Sequence, residues 1–513
     1  MPDSIFSSLL LVLGVGAVSS YLVLRKLRLG RLPLPPGPPS YPIIGQLLSI
    51  PRSSEGRAFI DMSAKLNSDI ISFNVFGTTI IVLNSNEVAN DLLEKRSNIH
   101  SGRYCPPMIA SPKLINLKDF VAFMDTNELW KKQRRAMGAR LNKHAVTTFR
   151  SLQELEARRL LSRLLAAHAE PMSSDFLNEE FYRTTSAVFL ESVYGYELKS
   201  AQDPFFTNIS KMNAILSHAS LPTAFLVNAF PWMENIPDWV PGTGWKQKAY
   251  EWRDQKDRAM GDPYNWAKQR IHGPVGQRCR RLLDCLSNLQ GASETGWSEA
   301  DADEFCKSVA TGLLGAGTET WQWRSIQKSK SGLKGRSMQW WELIAYRPSQ
   351  TDRACRFERL MTEVVRWHPS APFGAPHICT EENEYRGYRI PKGAIMVGHV
   401  TATVRDERVY QDAEKFDPDR YLDPTVPPPQ AFGWGLRICP GQHFFREIFF
   451  LEIALMLATL KIERYKDENG NELVPSEETT ETARLRLFSC PVPFKVRISP
   501  RSEQHAELIG TAM

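Results

Sequence analysis

Apolar residues are spread unevenly along this chain, and that unevenness predicts its elements. Ile5 to Leu24 is a run of 20 residues broken only by small residues, serines and Tyr21, long enough to span a bilayer as a helix. Asp3 precedes the run, and Arg25, Lys26, Arg28 and Arg31 follow it, so the positive-inside bias places the rest of the chain in the cytoplasm. A cleaved leader carries its charge before the apolar core; here the charge follows, which predicts a permanent anchor. Leu32 to Pro39 (Leu-Pro-Leu-Pro-Pro-Gly-Pro-Pro) makes a stiff, extended linker. The predicted organisation is an anchor with a basic stop over 1–30, a hinge over 31–42, one main domain over 43–500 and a tail over 501–513.

Alternation of apolar and polar positions over Asp69–Leu83 predicts two strands around Gly77. From 86 to 310 the pattern is mostly helical. An exception is Phe230 to Gly242, where aromatics alternate with prolines; it fits either the core or a loop that dips into a membrane. Ser298, with Asp301 three residues on, predicts a helix start, and the helix should run through Leu313-Leu-Gly-Ala-Gly-Thr-Glu-Thr320. Gly312, Gly315 and Gly317 inside that helix each cost roughly 1 kcal/mol relative to alanine. The expectation is that something lies very close to the backbone there; tight helix–helix packing is the ordinary alternative. The spacing of Glu363 and Arg366 puts both charges on one helix face, where an exposed pair would contribute little.

Composition is that of an ordinary globular protein, with 42% hydrophobic and 23% charged among 513 residues. The net charge of +6 is too diffuse to argue for nucleic acid and suits a membrane surface or an acidic partner. The eight cysteines (105, 279, 285, 306, 355, 379, 439, 490) include no Cys-x-x-Cys pair, which excludes a disulfide framework or zinc site and fits a reduced compartment. Asn208-Ile-Ser210 is a glycosylation sequon that would stay silent on the cytosolic side.

One cysteine stands apart. Cys439 lies in Ala431-Phe-Gly-Trp-Gly-Leu-Arg-Ile-Cys-Pro-Gly-Gln-His443. No second cysteine or metal-spaced histidine accompanies it, so the pattern suits a single thiolate offered to a large flat cofactor. The glycines allow φ > 0 and close approach to a ligand. Backbone N–H groups and a helix beginning with Pro440 in its first turn would help keep the sulfur charged.

This stretch resembles FGxGxRxCxG, the heme-binding loop of the cytochrome P-450 superfamily, at every fixed position. The resemblance implies that Cys439 is the axial heme ligand, that Arg437 pairs with a heme propionate, and that Phe432 and Gly433 pack close to the sulfur. Ala316-Gly-Thr-Glu-Thr320 resembles the family's AGx(D/E)T oxygen-activation motif; Thr320 would hydrogen-bond dioxygen and Glu319 would relay protons. Glu363-Val-Val-Arg366 resembles ExxR and is followed by Trp-His-Pro, as in many fungal members. Phe416-Asp-Pro-Asp-Arg-Tyr421 resembles FxPxR, so Arg420 would complete a Glu363–Arg366–Arg420 network bracing the cysteine loop. Trp130-Lys-Lys-Gln-Arg134 resembles WxxxR; Trp130, Arg134 and His377 would bind propionates. On the same helix Lys131, Lys132 and Arg135 form the basic face that docks an acidic electron donor in the family.

One segment departs from the family. Only 42 residues separate Thr320 from Glu363, fewer than related members have, and Trp321 to Trp341 is polar and basic where apolar periodicity should continue. Met338-Gln-Trp-Trp-Glu342 must be encoded ATG-CAR-TGG-TGG-GAR; read from the third base this gives Ala-(Val/Met)-Val-Gly. Downstream codons permit Thr-Asp-Arg-Leu-Pro. Related fungal enzymes carry Val-Val-Gly-x-Asp-Arg-Leu-Pro at about this place. Residues of roughly 325–357 therefore read as frame-shifted, through an error in gene prediction or a real mutation; the alternative is a divergent surface loop.

The resemblance covers about 30–500 and implies a mainly α fold with a smaller β-rich region, the heme-thiolate monooxygenase fold, behind an N-terminal transmembrane helix. Its motifs are those of the fungal membrane-bound type, near O-methylsterigmatocystin oxidoreductase-like enzymes. It implies heme b, with one atom of O2 inserted into a small hydrophobic substrate. Electrons would come from NADPH through a separate NADPH-cytochrome reductase, since no nicotinamide or flavin domain is present. The expected location is the endoplasmic reticulum membrane, single-pass, with the catalytic domain cytosolic. Two other classes stay open: an O2-independent heme-thiolate isomerase or dehydratase, against which the Glu319–Thr320 pair argues, and an inactive membrane protein whose disrupted segment prevents heme retention.

Overall fold

The structure is a computed structural model describing residues 32–51, 55–220, 224–270, 298–318, 350–473 and 494–511. The expected span Ile5–Leu24, the Glu319–Thr320 pair and residues 325–349 of the suspect segment lie outside the described residues. Among the described residues no helix is long and apolar enough to cross a membrane.

Helices dominate. In chain order they are α1 (Glu55–Lys65), α2 (Glu128–Leu141), α3 (Arg150–Ala166), α4 (Ser174–Phe189), α5 (Pro204–Ala219), α6 (Gly244–Arg270), α7 (Glu299–Thr318), α8 (Gln350–Trp367) and α9 (Gln442–Thr459), with shorter turns between them. The strands of the two larger sheets are β1 (Ile70–Val75), β2 (Thr78–Leu83), β3 (Gly102–Arg103), β4 (Met172–Ser173), β5 (His377–Ile378), β6 (Ile395–Gly398), β7 (Leu460–Arg464) and β8 (Lys495–Pro500), and Asn383–Tyr385 pairs with Tyr388–Ile390 in a separate hairpin. The first two form the expected hairpin. Phe76 and Gly77 at its tip both have positive φ (49° and 86°), the two-residue turn that matches strand twist. β2 then pairs in parallel with β6, and the sheet runs β1-β2-β6-β5-β3. This order brings residues near 103, 377 and 398 side by side. A second sheet, β4-β8-β7, lies beside α3 and α9 in a separate apolar cluster.

α7 runs through the largest apolar cluster, which joins it to α2, α4, α5 and α6. Its start is the expected capping box: Asp301 N–H donates to Ser298 Oγ and Ser298 N–H to Asp301 Oδ2, both at 3.2 Å. Side chains face two of its glycines: a Cβ on Gly312 would meet Val121 Cγ1 at 3.4 Å and Met137 Cε at 3.6 Å, and one on Gly315 would meet Asn213, Ile209 and Met212 of α5, all at ordinary contact distances.

Glu363 and Arg366 on α8 are fully buried, so the pair is not a surface ornament. Arg366 grips Glu363 through Nε–Oε2 (2.7 Å) and Nη2–Oε1 (2.8 Å), the two-pronged geometry that a planar guanidinium favours. Arg420 Nε adds a contact at 3.2 Å, and Asp417 N–H donates to Glu363 Oε1 at 2.7 Å. The remaining donors of the arginines end on carbonyls of Val404, Ala413, Gln411 and Lys415. The triad therefore pins the 404–420 segment. That segment leads on toward the cysteine loop.

Removing one member leaves buried charge without its partner. Glu363→Gln should destabilise the protein by about 3–5 kcal/mol, while Arg57→Ala, which breaks the exposed Arg57–Glu414 pair, should cost at most about 1 kcal/mol. Denaturant midpoints of the two variants check the contrast.

Candidate active site

The cysteine loop is built by two backbone devices. Gly433 and Gly435 take positive φ (84° and 53°), which L side chains resist. At Gly435 a Cβ would also stand 2.6 Å from Leu93 O and 2.7 Å from Ser97 Cβ, so the missing side chain lets the loop lie against the 90–97 segment. A turn over Gly435–Arg437 then presents Ile438 and Cys439, whose N–H donates to Phe432 O at 2.8 Å. α9 starts at Gln442 with Gly441 as N-cap; Pro440 precedes the cap, a correction to the expectation that it occupies the first turn.

The N–H groups of Gly441 and Gln442 point at the Cys439 sulfur. These are orphan donors of a helix N-terminus, at the positive end of its dipole. Burial still pushes the Cys439 thiol up, and the two N–H groups and nearby Arg134 offset this only partly. The sulfur therefore needs a cation opposite it to be a thiolate at neutral pH.

Around the sulfur lies a cleft of about 270 Å3, lined among others by Arg103, His377, Phe432, Gly433, Arg437 and Cys439. Arg437 is buried and donates to Ser101 O and Met124 O, both at 2.8 Å. Trp130 is held between two guanidiniums, Arg437 at 4.4 Å and Arg134 at 5.7 Å from its ring. Asn127 caps α2 by accepting the Trp130 N–H at 2.8 Å, which fixes where that ring starts. Arg134 Nη2 donates to Ile438 O at 2.6 Å, tying α2 to the cysteine loop. His377 Nδ1 contacts His100 O at 2.7 Å. Burial, with Arg103 beside it, holds its pKa well below the ordinary histidine value, so it is a neutral imidazole.

Arg103 is the residue that sequence reasoning missed. It sits on β3 beside β5, donates to the carbonyls of Ala375 and Pro376, and keeps Nε buried without a partner among the described residues. Burial and the neighbouring guanidiniums of Arg437 and Arg134 lower its pKa to about 9, and burial lowers that of Arg437 to about 10. Asp125, whose carboxylate accepts the Arg103 N–H at 3.0 Å, offsets the charge of both. Three crowded cations with so little compensation favour an anion with more than one carboxylate.

The structure thus brings Cys439, Arg437, Phe432, Gly433 and His377 to one cleft, with Arg134 tied to Ile438 O and Trp130 packed on Arg437 beside it. It places Glu363, Arg366 and Arg420 in a separate buried network, and Glu319 and Thr320 lie outside the described residues. A family model of cytochrome P-450 matches residues 35–323 and 357–481. The chain belongs to the cytochrome P-450 family. Among similar proteins are a cytochrome P-450 monooxygenase of Postia placenta, 32% identical over 98% of this chain and 97% of its own length, and the cytochrome P-450 monooxygenase claR of Ampulloclitocybe clavipes, 30% identical over 96% and 90%. The tryptamine 4-monooxygenase of Psilocybe cyanescens is 29% identical over 94% and 96%. As a cytochrome P-450 the protein is a monooxygenase, an oxidoreductase of fungal type, and its family implies a heme whose iron is bound by a thiolate.

The donor set of the cleft fits that cofactor: a dipole-supported sulfur on one side and unneutralised guanidiniums for two carboxylates on the other. Arg103→Leu should speed heme loss about tenfold or more, the worth of a charged hydrogen bond, and Arg103→Lys less. Transfer of heme to apomyoglobin checks the rates.

Proposed function

We propose that this cytochrome P-450 holds heme b with Cys439 as its axial ligand and inserts one oxygen atom of O2 into a small hydrophobic substrate. The observation that carries it is the Cys439 sulfur in one cleft with Arg103 and Arg437, with Arg134 held on the carbonyl of Ile438 next to the cysteine. Bound heme would supply the oxygen-activating chemistry. The chain's residues have narrower tasks. Gly441 and Gln442 N–H groups hold charge on the sulfur, and Trp130 and His377 join the arginines at the propionates. Glu319 and Thr320 serve as the acid–alcohol pair for proton delivery.

Electrons come from NADPH through a separate reductase that docks where Lys131 and Arg135 are exposed and Lys132 half-buried on α2. Support for membrane attachment is an apolar face away from that helix. Phe76 at the β1–β2 tip packs obliquely on Phe230, ring centroids 4.9 Å apart, and Leu226, Trp232 and Trp239 of the segment around Phe230 stand exposed, as does Ile43. With Ile5–Leu24 as a single span, the protein sits in the endoplasmic reticulum membrane with its catalytic domain in the cytosol.

The family match is interrupted over 324–356, the interval that the codon pattern marks as frame-shifted. We infer that this interval does not belong to the working enzyme. Sequencing the transcript tests it: an open frame with a restored Val-Val-Gly-x-Asp-Arg-Leu-Pro sequence is expected, and an uninterrupted frame encoding the segment as written counts against it.

The catalytic reading is tested with membranes carrying the protein and a reductase, supplied with NADPH and 18O2 against a panel of apolar aromatic and terpenoid compounds. Products carrying one 18O atom are expected; turnover without O2 would contradict it. Reversal of Lys131 and Lys132 to glutamate should weaken reductase binding, measured by titration, while leaving heme content intact.

A further inference from the structure

Asp125 is an acid set among the arginines of the cleft. β3 is an edge strand of its sheet, and the Arg103 N–H donates to Asp125 Oδ1 at 3.0 Å. The preceding residue, Met124, supplies a carbonyl on which Arg437 rests, at 2.8 Å. One short segment therefore touches both arginines that line the cleft. Burial disfavours their charged forms, and the Asp125 carboxylate works against it at each. It does so while the hydrogen bonds of the two guanidiniums go to the carbonyls of Ala375, Pro376, Ser101 and Met124.

Capping the Arg103 N–H needs only an acceptor. Asparagine has nearly the same shape and a carbonyl oxygen that would take the same N–H, so the cap does not require an acid. What the acid adds is charge, which attracts guanidiniums and repels other carboxylates. Heme brings two carboxylates of its own toward Arg103 and Arg437. We propose that Asp125 is a resident counter-ion of the heme site: it competes with the cofactor's carboxylates for these two arginines, so heme is held less tightly, and its reduction potential lies lower, than the arginines alone would set. The effect on potential follows from charge balance. One-electron reduction of ferric to ferrous heme removes one unit of positive charge, and a nearby anion opposes that loss. The assignment rests on the heme-binding role proposed above for the cleft.

The test compares heme-loaded wild type with Asp125→Asn, which keeps the acceptor and removes the charge, and Asp125→Ala, which removes both. Heme transfer from Asp125→Asn to apomyoglobin should be about two- to fivefold slower than from wild type, the worth of one exposed charge pair. Its reduction potential, from dye-mediated titration with dithionite, should be higher. Both differences should narrow as salt is raised, because Asp125 is exposed and its charge is screened. Asp125→Ala, with the Arg103 N–H left uncapped, should lose heme faster than Asp125→Asn. An unchanged or faster loss of heme from Asp125→Asn, or an unchanged or lower potential, overturns the proposal and leaves Asp125 a cap of the sheet edge. Differences indifferent to salt overturn its electrostatic basis. A wild-type chain that takes up no heme overturns the heme-binding reading and this role with it, whereas heme-loaded wild type and Asp125→Asn that behave alike leave that reading standing and remove only the counter-ion.

Discussion

Two guanidiniums share a cleft with one thiol and a third is held on the same loop, and most of the fold serves that arrangement. Charge without a counter-charge in a low-dielectric interior is expensive; here it is tolerated because each cation is held by the backbone. Arg437 rests on two carbonyls, Arg134 on the carbonyl next to Cys439, and Arg103 on the turn before β5. Trp130 fills the space between Arg437 and Arg134 with its π faces, which favours the cations without neutralising them. The cluster is thus pre-assembled and short of negative charge, the state in which a dicarboxylate cofactor gains most from binding.

The supports of the cleft come from distant parts of the chain. The parallel pairing of β2 with β6 sets the sheet on which Arg103 and His377 meet across β3 and β5. The buried Glu363 triad fixes the 404–420 segment that leads into the cysteine loop. α9 contributes its N-terminus to the sulfur and its length to the second apolar cluster. A disturbance of α8 would therefore reach the iron site through packing and not through chemistry, which is why the frame of the preceding segment matters to function.

What could be read from the residues followed from how local each device is. The cysteine, its turn glycines and the start of α9 are contiguous, so the loop was legible, apart from the exact place of Pro440. The hairpin and the Ser298 cap were legible for the same reason. Glu363 and Arg366 announced a pair by spacing, but their complete burial depends on the 404–420 segment folding over them. Arg103 gave no signal, because its position is created by strand pairing with residues near 377.

The most direct measurement is the reduced carbon monoxide difference spectrum of the full-length expressed protein beside Cys439→Ser. A thiolate-ligated heme places the Soret band at about 450 nm, and the serine variant should lose that band while the rest of the fold persists. Absence of the band from the wild-type chain, or its retention in Cys439→Ser, would contradict the assignment of Cys439 as the ligand around which this structure is organised.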